Sequence, residues 1–417
     1  MVWPDDALHS SRPAPSTGWG GPILSDPGSE DRPLRFGGIG FRLFAALIAG
    51  ESARLFLVGT APLLLTAFVD DRGLGEARAS LLSSSELLAS AVVAVAVSDW
   101  LTRRSRRATA QVGLACVLVG QLLSLLDVGF LPLLALRALA GFGAGLAGAA
   151  AIAAAAGTPN PERVFASISF VTALLGIVLI GPIGLSVGRF GVAGALVISA
   201  GVTLVAFPLL RRLPRPAASD ASSTDRRAPG NHTVRGVATL VALFAFMLGQ
   251  NAVWTFAARI GQSKGLSIET VSLIFAGAAV AGLGGAATSA WVGLRRGRLA
   301  PLLLSIAGIV GTIVVLVETE SGLVFVACYA AWSFLFAFSM PYFLGLLAAL
   351  DAHGRWAAMG TGVSGIGAAC GPAAVGASVE ASGYGVLATL IVAMGLVAAA
   401  ILVPVVRNLR RETFSGS

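Results

Sequence analysis

Apolar residues occur in this chain as long, nearly unbroken runs separated by short polar turns. A helix needs about 20 mostly apolar residues to cross the ~30 Å hydrocarbon core of a bilayer. Twelve runs meet that length, at residues 41–68, 78–98, 108–130, 131–157, 163–187, 190–210, 236–259, 267–293, 299–317, 322–350, 356–380 and 383–406. The divisions near Phe130, Arg189 and Gly383 rest on tight-turn signals such as Gly188-Arg-Phe-Gly191 and Ser382-Gly-Tyr-Gly385. The pattern predicts an all-α integral membrane protein of twelve transmembrane helices.

The one long polar interruption, residues 211–235, is rich in Pro, Ala, Ser and charge and falls between spans six and seven. It divides the chain into two six-helix bundles, 38–210 and 236–406, with a C-terminal tail at 407–417. Residues 1–37 lack the basic start, short apolar core and small-residue cleavage site of a signal peptide, and read as a disordered tail.

Composition agrees with a lipid solvent. The chain is 56% hydrophobic and 12% charged, with mean hydropathy +0.83, too little polar material to coat a globule of 417 residues in water. A net charge of +8 raises the question of nucleic acid, but the basic residues sit in short clusters between apolar runs and face lipid headgroups instead. Of the 29 Lys and Arg, 22 fall on one face of a twelve-span topology and four on the other. The positive-inside rule makes the crowded face cytoplasmic, both termini included, and places the chain in the cytoplasmic (inner) membrane.

Cys116, Cys328 and Cys370 are odd in number and lie inside apolar runs, which fits packing and not a disulfide framework. His9, His232 and His353 are scattered, so no metal site is expected. No G-x-x-x-x-G-K-[ST] loop is present, and the glycine run at 137–145 lies inside an apolar helix with no preceding strand. No cofactor and no enzymatic chemistry are expected.

Charge inside the bilayer is where function is sought, because each such group costs at least ~2.5–3.5 kcal/mol unless a partner or a watery cavity receives it. Glu51 and Arg54 stand three apart on one face of span one and can pair. Glu86 lies in span two, Arg137 in span four and Arg259 near the outer end of span seven. Burial favours a protonated carboxyl and a nearby guanidinium favours an ionised one, so Glu51 or Glu86 is the candidate proton carrier. The competing reading makes these pairs static bridges. Gln250 and Trp254 share a helix face, and with Asn251, Arg54 and Arg259 they are the candidate solute contacts. Trp332 and Tyr342 in span ten are weaker candidates.

The two halves echo each other. Gly181-Pro182 in span five recurs as Gly371-Pro372 in span eleven, and the basic turn after span two (Asp99, Arg103, Arg104) recurs after span eight (Arg295, Gly297, Arg298). In span four, Arg137-Ala-Leu-Ala-Gly141-Phe-Gly143-Ala-Gly145 fits R-x-x-x-G-x-G-x-G in full. Duplicated halves carrying these motifs resemble the major facilitator superfamily, over roughly residues 38–410. The turn after span two departs from the family pattern at Val95, Trp100 and Thr102, its second copy at Leu294, and the exporter-like motif of span five at Leu185 and Ser186.

The resemblance implies two six-helix bundles rocking around a mid-membrane cavity, with Arg137 tied to proton coupling. The basic turns and the Gly-Pro pairs would then serve gating. The partners expected are a small organic solute, protons and membrane lipids, in a protein that works as a monomer. Three arginines within spans favour an anionic solute. A proton-driven drug exporter is the alternative within transport, and a non-transporting receptor or assembly factor on the same fold is the alternative outside it.

Overall fold

A computed structural model describes residues 35–36, 39–97, 105–158, 160–213, 232–293, 295, 297–350 and 355–415. It is nearly all helical. A two-residue antiparallel pairing, β1 (Arg35–Phe36) with β2 (Ile39–Gly40), precedes α1 (Phe41–Arg72), α2 (Glu76–Ala96), α3 (Arg106–Leu123) and α4 (Phe130–Ala156). After α5 (Pro161–Leu209) the chain continues through α6 (His232–Ser263), α7 (Ile268–Val292), α8 (Leu299–Glu318), α9 (Gly322–Ala349), α10 (Arg355–Ser382) and α11 (Gly385–Ser415). The expected N-terminal tail to residue 34 and most of the linker, 214–231, lie outside the described residues.

Helix limits follow local chemistry. Ser105, Ser267 and Ser321 accept from the backbone N–H of Ala108, Thr270 and Val324, and so begin α3, α7 and α9. Gly73 ends α1 in the left-handed region at φ 60°.

Spans five and six divide within the expected Gly188-Arg-Phe-Gly191 turn: α5 comprises two helical stretches that meet at a kink at Gly191, where φ is 57° and ψ −138°. At that break Val192 N–H donates to Asp71 Oδ2 at 2.5 Å, so a carboxylate from the end of α1 caps the second helical stretch. A side chain at Gly191 would overlap the same carboxylate.

Among the described residues ten helices are long and apolar enough to cross a membrane; α3 is not among them. Their outer surfaces are greasy, with Leu204, Val205, Leu304 and Leu323 each exposing most of their side chain. In water such a surface would be a large apolar liability, whereas hydrocarbon matches it.

Lipid supplies no hydrophobic drive between helices, so close packing of small residues holds them together. The pattern in α4 shows how. A Cβ at Gly141 would collide with the Glu86 carbonyl and one at Gly145 with the Ser90 carbonyl, both on α2. Gly143 lies equally close to Gly113 on α3. Glycine at these places brings α2 and α3 within reach of Arg137.

Contacts between the first six and last six helical segments are made by α2 along α10, α5 against α7, and α1 beside α6. Gly181 on α5 faces Leu273 of α7. Gly371 fits against the Leu248 carbonyl of α6, and Ala373 N–H, just past Pro372, donates to Ser84 Oγ of α2 at 2.9 Å. Gly181 thus lies at the α5–α7 contact, whereas Gly371 packs on α6 with the contact to α2 made two residues on, at Ala373.

Gly141→Val should cost ~1–3 kcal/mol or more by overpacking against α2. The thermal midpoint in detergent should fall sharply, while Gly201→Val, where a Cβ meets nothing within 4 Å, should leave it unchanged.

Candidate functional site

Arg137 is 1% exposed and sits between α2, α3 and α4. Its guanidinium donates to the Gly120 carbonyl at 2.9 Å and to Ser124 Oγ at 3.0 Å, and stands 3.6 Å from Glu86 Oε1. The hydrogen bonds to α3 are short and the ion pair to α2 is longer. A cavity of about 10 Å³, room for about one water, is bounded here by Glu86, Arg137, Gln121, Ser199 and the Ala53, Leu57 and Thr60 face of α1. Gln121 Nε2 donates to Ser199 Oγ at 2.6 Å, while its buried Oε1 has no partner. An unused acceptor therefore borders the same small space as the Glu86 carboxylate.

A second pair lies on α1. Arg54 Nε donates to Glu51 Oε2 at 2.8 Å; the carboxylate is buried and the arginine side chain is 51% exposed. The expected intrahelical pair forms, and it opens toward solvent at its arginine end.

A cavity of about 230 Å³ is lined by Val58, Gln250, Asn251, Trp254, Tyr329, Trp332, Ser333 and Phe336. Three sequence candidates, Gln250, Asn251 and Trp254, meet there. Trp332 Nε1 donates to Gln250 Oε1 at 2.5 Å and Trp254 Nε1 to the Val58 carbonyl at 3.0 Å, which locks both indoles. Gln250 Nε2 and Tyr329 Oη are buried without partners. Tyr329, Ser333 and Phe336 escaped the sequence reading, although with Trp332 they form a stripe of helical spacing along α9. Tyr342 is elsewhere, donating to the Gly293 carbonyl at 3.1 Å.

Arg259, a candidate solute contact from the sequence, does not line this cavity. Because α6 runs on to Ser263, Arg259 reaches the α1–α2 end, where it meets Asp70 at 2.6 Å and Glu76 at 3.3 Å. Tyr384, in the turn between α10 and α11, donates to Glu76 at 2.5 Å; burial and that bond push its hydroxyl up to about 12, so it stays a donor at neutral pH. Glu380 accepts from Ala77 N–H at 2.8 Å. These contacts latch the two halves at one end.

Of the gating candidates, Asp99, Arg103 and Arg104 lie outside the described residues. Arg295 stacks over Trp291 at 5.9 Å, Gly297 takes φ 67°, and Arg298 Nε is buried with no partner. Among the described residues no cluster suited to a metal ion is found.

The model of the Major Facilitator Superfamily matches residues 44–351, well over half of the chain. The chain belongs to the Major Facilitator Superfamily. Its place among these transporters, and not among enzymes, agrees with a site built of paired charges and a preformed cavity. Solved structures of the superfamily share its fold. A D-xylose-proton symporter aligns at TM-score 0.67 and 17% identity over 88% of this chain and 96% of that one. A peptide transporter POT in complex with alafosfalin aligns at 0.69 and 15%, over 89% and 96%. The xylose transporter XylE from E. coli, in an inward-open conformation, aligns at 0.65 and 16%, over 87% and 94%. Among curated proteins none matches this superfamily member.

Arg259→Gln should loosen the latch. With Cys116, Cys328 and Cys370 replaced by Ala, a cysteine at Ser333 should react about fivefold faster with an impermeant thiol reagent added on the α1–α2 side, for ~1 kcal/mol of lost pairing.

Proposed function

We propose that this chain is a secondary active transporter moving a small organic anion with a proton by alternating access. In this reading it crosses the cytoplasmic membrane twelve times as two six-helix halves, works as a monomer and keeps both termini in the cytoplasm. The observation that carries it is the pair of buried carboxylate–arginine couples set on either side of α1. One, Glu51–Arg54, opens toward solvent a turn from the 230 Å³ cavity. The other, Glu86–Arg137, is enclosed behind the Ala53 and Thr60 face of the same helix.

The coupling follows from electrostatics. A buried carboxylate stays ionised because a guanidinium stands beside it, and a solute anion competing for Arg54 weakens the hold on Glu51. A proton then replaces the lost positive charge. Solute and proton travel together, and the couple crosses without a net buried charge, which the membrane would penalise. Glu86 and Arg137 repeat the arrangement, and the unused Gln121 acceptor offers a protonated Glu86 a bond through the small cavity.

The latch at Arg259 and the Gly-Pro crossings of α5–α7 and α2–α10 supply the moving parts. Gly181, Pro182, Gly371 and Pro372 would bend where a missing backbone donor costs least. Proton-driven export of hydrophobic drugs is the second reading, favoured by the aromatic lining of the cavity and the absence of formal charge on it.

In proteoliposomes a pH gradient of one unit supports about tenfold accumulation of a solute carried with one proton. Glu51→Gln should abolish accumulation and preserve solute exchange, and Glu86→Gln and Arg137→Ala should each reduce coupling. Unchanged proton-driven flux in all three variants would refute the assignment.

A further inference from the structure

The transport reading leaves the solute's chemistry open, and the surroundings of the larger cavity narrow it. Trp254, Tyr329, Trp332 and Phe336 line it, with Trp254 and Tyr329 at 6.3 Å between ring centroids and Trp332 edge-on to Tyr329 at 5.3 Å. Both indole N–H groups are already spent on protein acceptors, so the rings offer faces and edges rather than donors. None of the eight lining residues carries a formal charge. Such a space takes a flat apolar body and pays no desolvation for it. The unpartnered Gln250 Nε2 and Tyr329 Oη in its wall mark a place finished by something other than the protein, since buried donors are seldom left unused.

Arg54 precedes Val58 by four residues, so the two share a face of α1 and stand about 6 Å apart along its axis. Val58 lines the cavity. Arg54 Nε is held by Glu51, but among the described residues its two terminal nitrogens have no protein partner, and the side chain is half exposed. A guanidinium with a free end therefore stands about one turn of α1 from a residue of the aromatic pocket, leaning back toward Glu51 and Gly148 of α4. An aryl acid with a linker between ring and carboxylate has the shape to span the two.

We propose that the cavity and Arg54 together form a binding site for an aryl carboxylate, the ring among Trp254, Tyr329, Trp332 and Phe336 and the carboxylate on the terminal nitrogens of Arg54. This substrate class rests on the transport reading and gives it a defined coupling step. The acid enters as a second anion on the guanidinium that holds Glu51, and so prepares Glu51 for its proton. A cation would meet Arg54 at the mouth and be repelled. A saturated acid would keep the charge contact and lose the ring contacts.

The test is calorimetric titration of the full-length protein in lipid nanodiscs with four compounds: 3-phenylpropionate, its neutral amide, 3-cyclohexylpropionate and benzyltrimethylammonium. Phenylpropionate should bind best, the saturated acid about three- to tenfold more weakly, the amide at least about tenfold more weakly, and the ammonium not measurably. Arg54→Gln should remove the advantage of acid over amide, and Arg54→Lys should restore part of it. The inference is overturned if amide or ammonium matches the acid, if no aryl acid binds the wild type, or if Arg54→Gln leaves the acid's affinity intact. Proton-driven flux of some other solute would then leave the transport reading standing, whereas a protein through which no solute of any class moves protons would lose both.

Discussion

The structure depends on how a guanidinium is kept at depth in a membrane. Arg137 keeps its charge away from bulk water, so three helices close around it: α3 supplies the Gly120 carbonyl and the Ser124 hydroxyl, and α2 supplies Glu86. That closure requires glycine at 141, 143 and 145, because any side chain there would strike the backbone of α2 or α3. The R-x-x-x-G-x-G-x-G pattern is thus one physical unit in which the small residues exist to bring partners to the charge. Breaking such a pair leaves an uncompensated buried ion, and this cost makes protonation a usable signal.

The same rule of matched charges operates at two other levels. On α1, Glu51 and Arg54 match each other while leaving the outer end of the guanidinium open. At the α1–α2 end, Arg259 holds Asp70 and Glu76, and Tyr384 and Glu380 add bonds between the halves. In the proposed transport cycle the first pair would be exchanged for a solute and the second opened for access, and α1 carries a member of both.

Much of this was legible in the sequence because lipid as solvent demands long apolar runs, and few other folds supply them. Span limits for α7, α8 and α9 agree with the helices to within a residue or so. The joint between spans five and six was legible in Gly188-Arg-Phe-Gly191, whose last glycine takes the positive φ, but the Asp71 carboxylate that meets it was not. The shared face of Gln250 and Trp254 was visible in their spacing. What they meet was not, because Trp332 approaches from 82 residues away and Val58 from 196. Arg259 was placed near the end of its span, where it lies, but its partners Asp70 and Glu76 flank a turn whose nearness to α6 only the tertiary packing reveals.

The central claim is that a solute anion and the Glu51 carboxylate compete for Arg54, so that binding the solute brings a proton onto Glu51. Proton uptake on solute binding, followed with a pH-sensitive dye in weakly buffered nanodiscs, tests it most directly. The account predicts about one proton taken up per solute bound by the wild type and none by Glu51→Gln. Solute binding with no proton uptake, or equal uptake by Glu51→Gln, would contradict it.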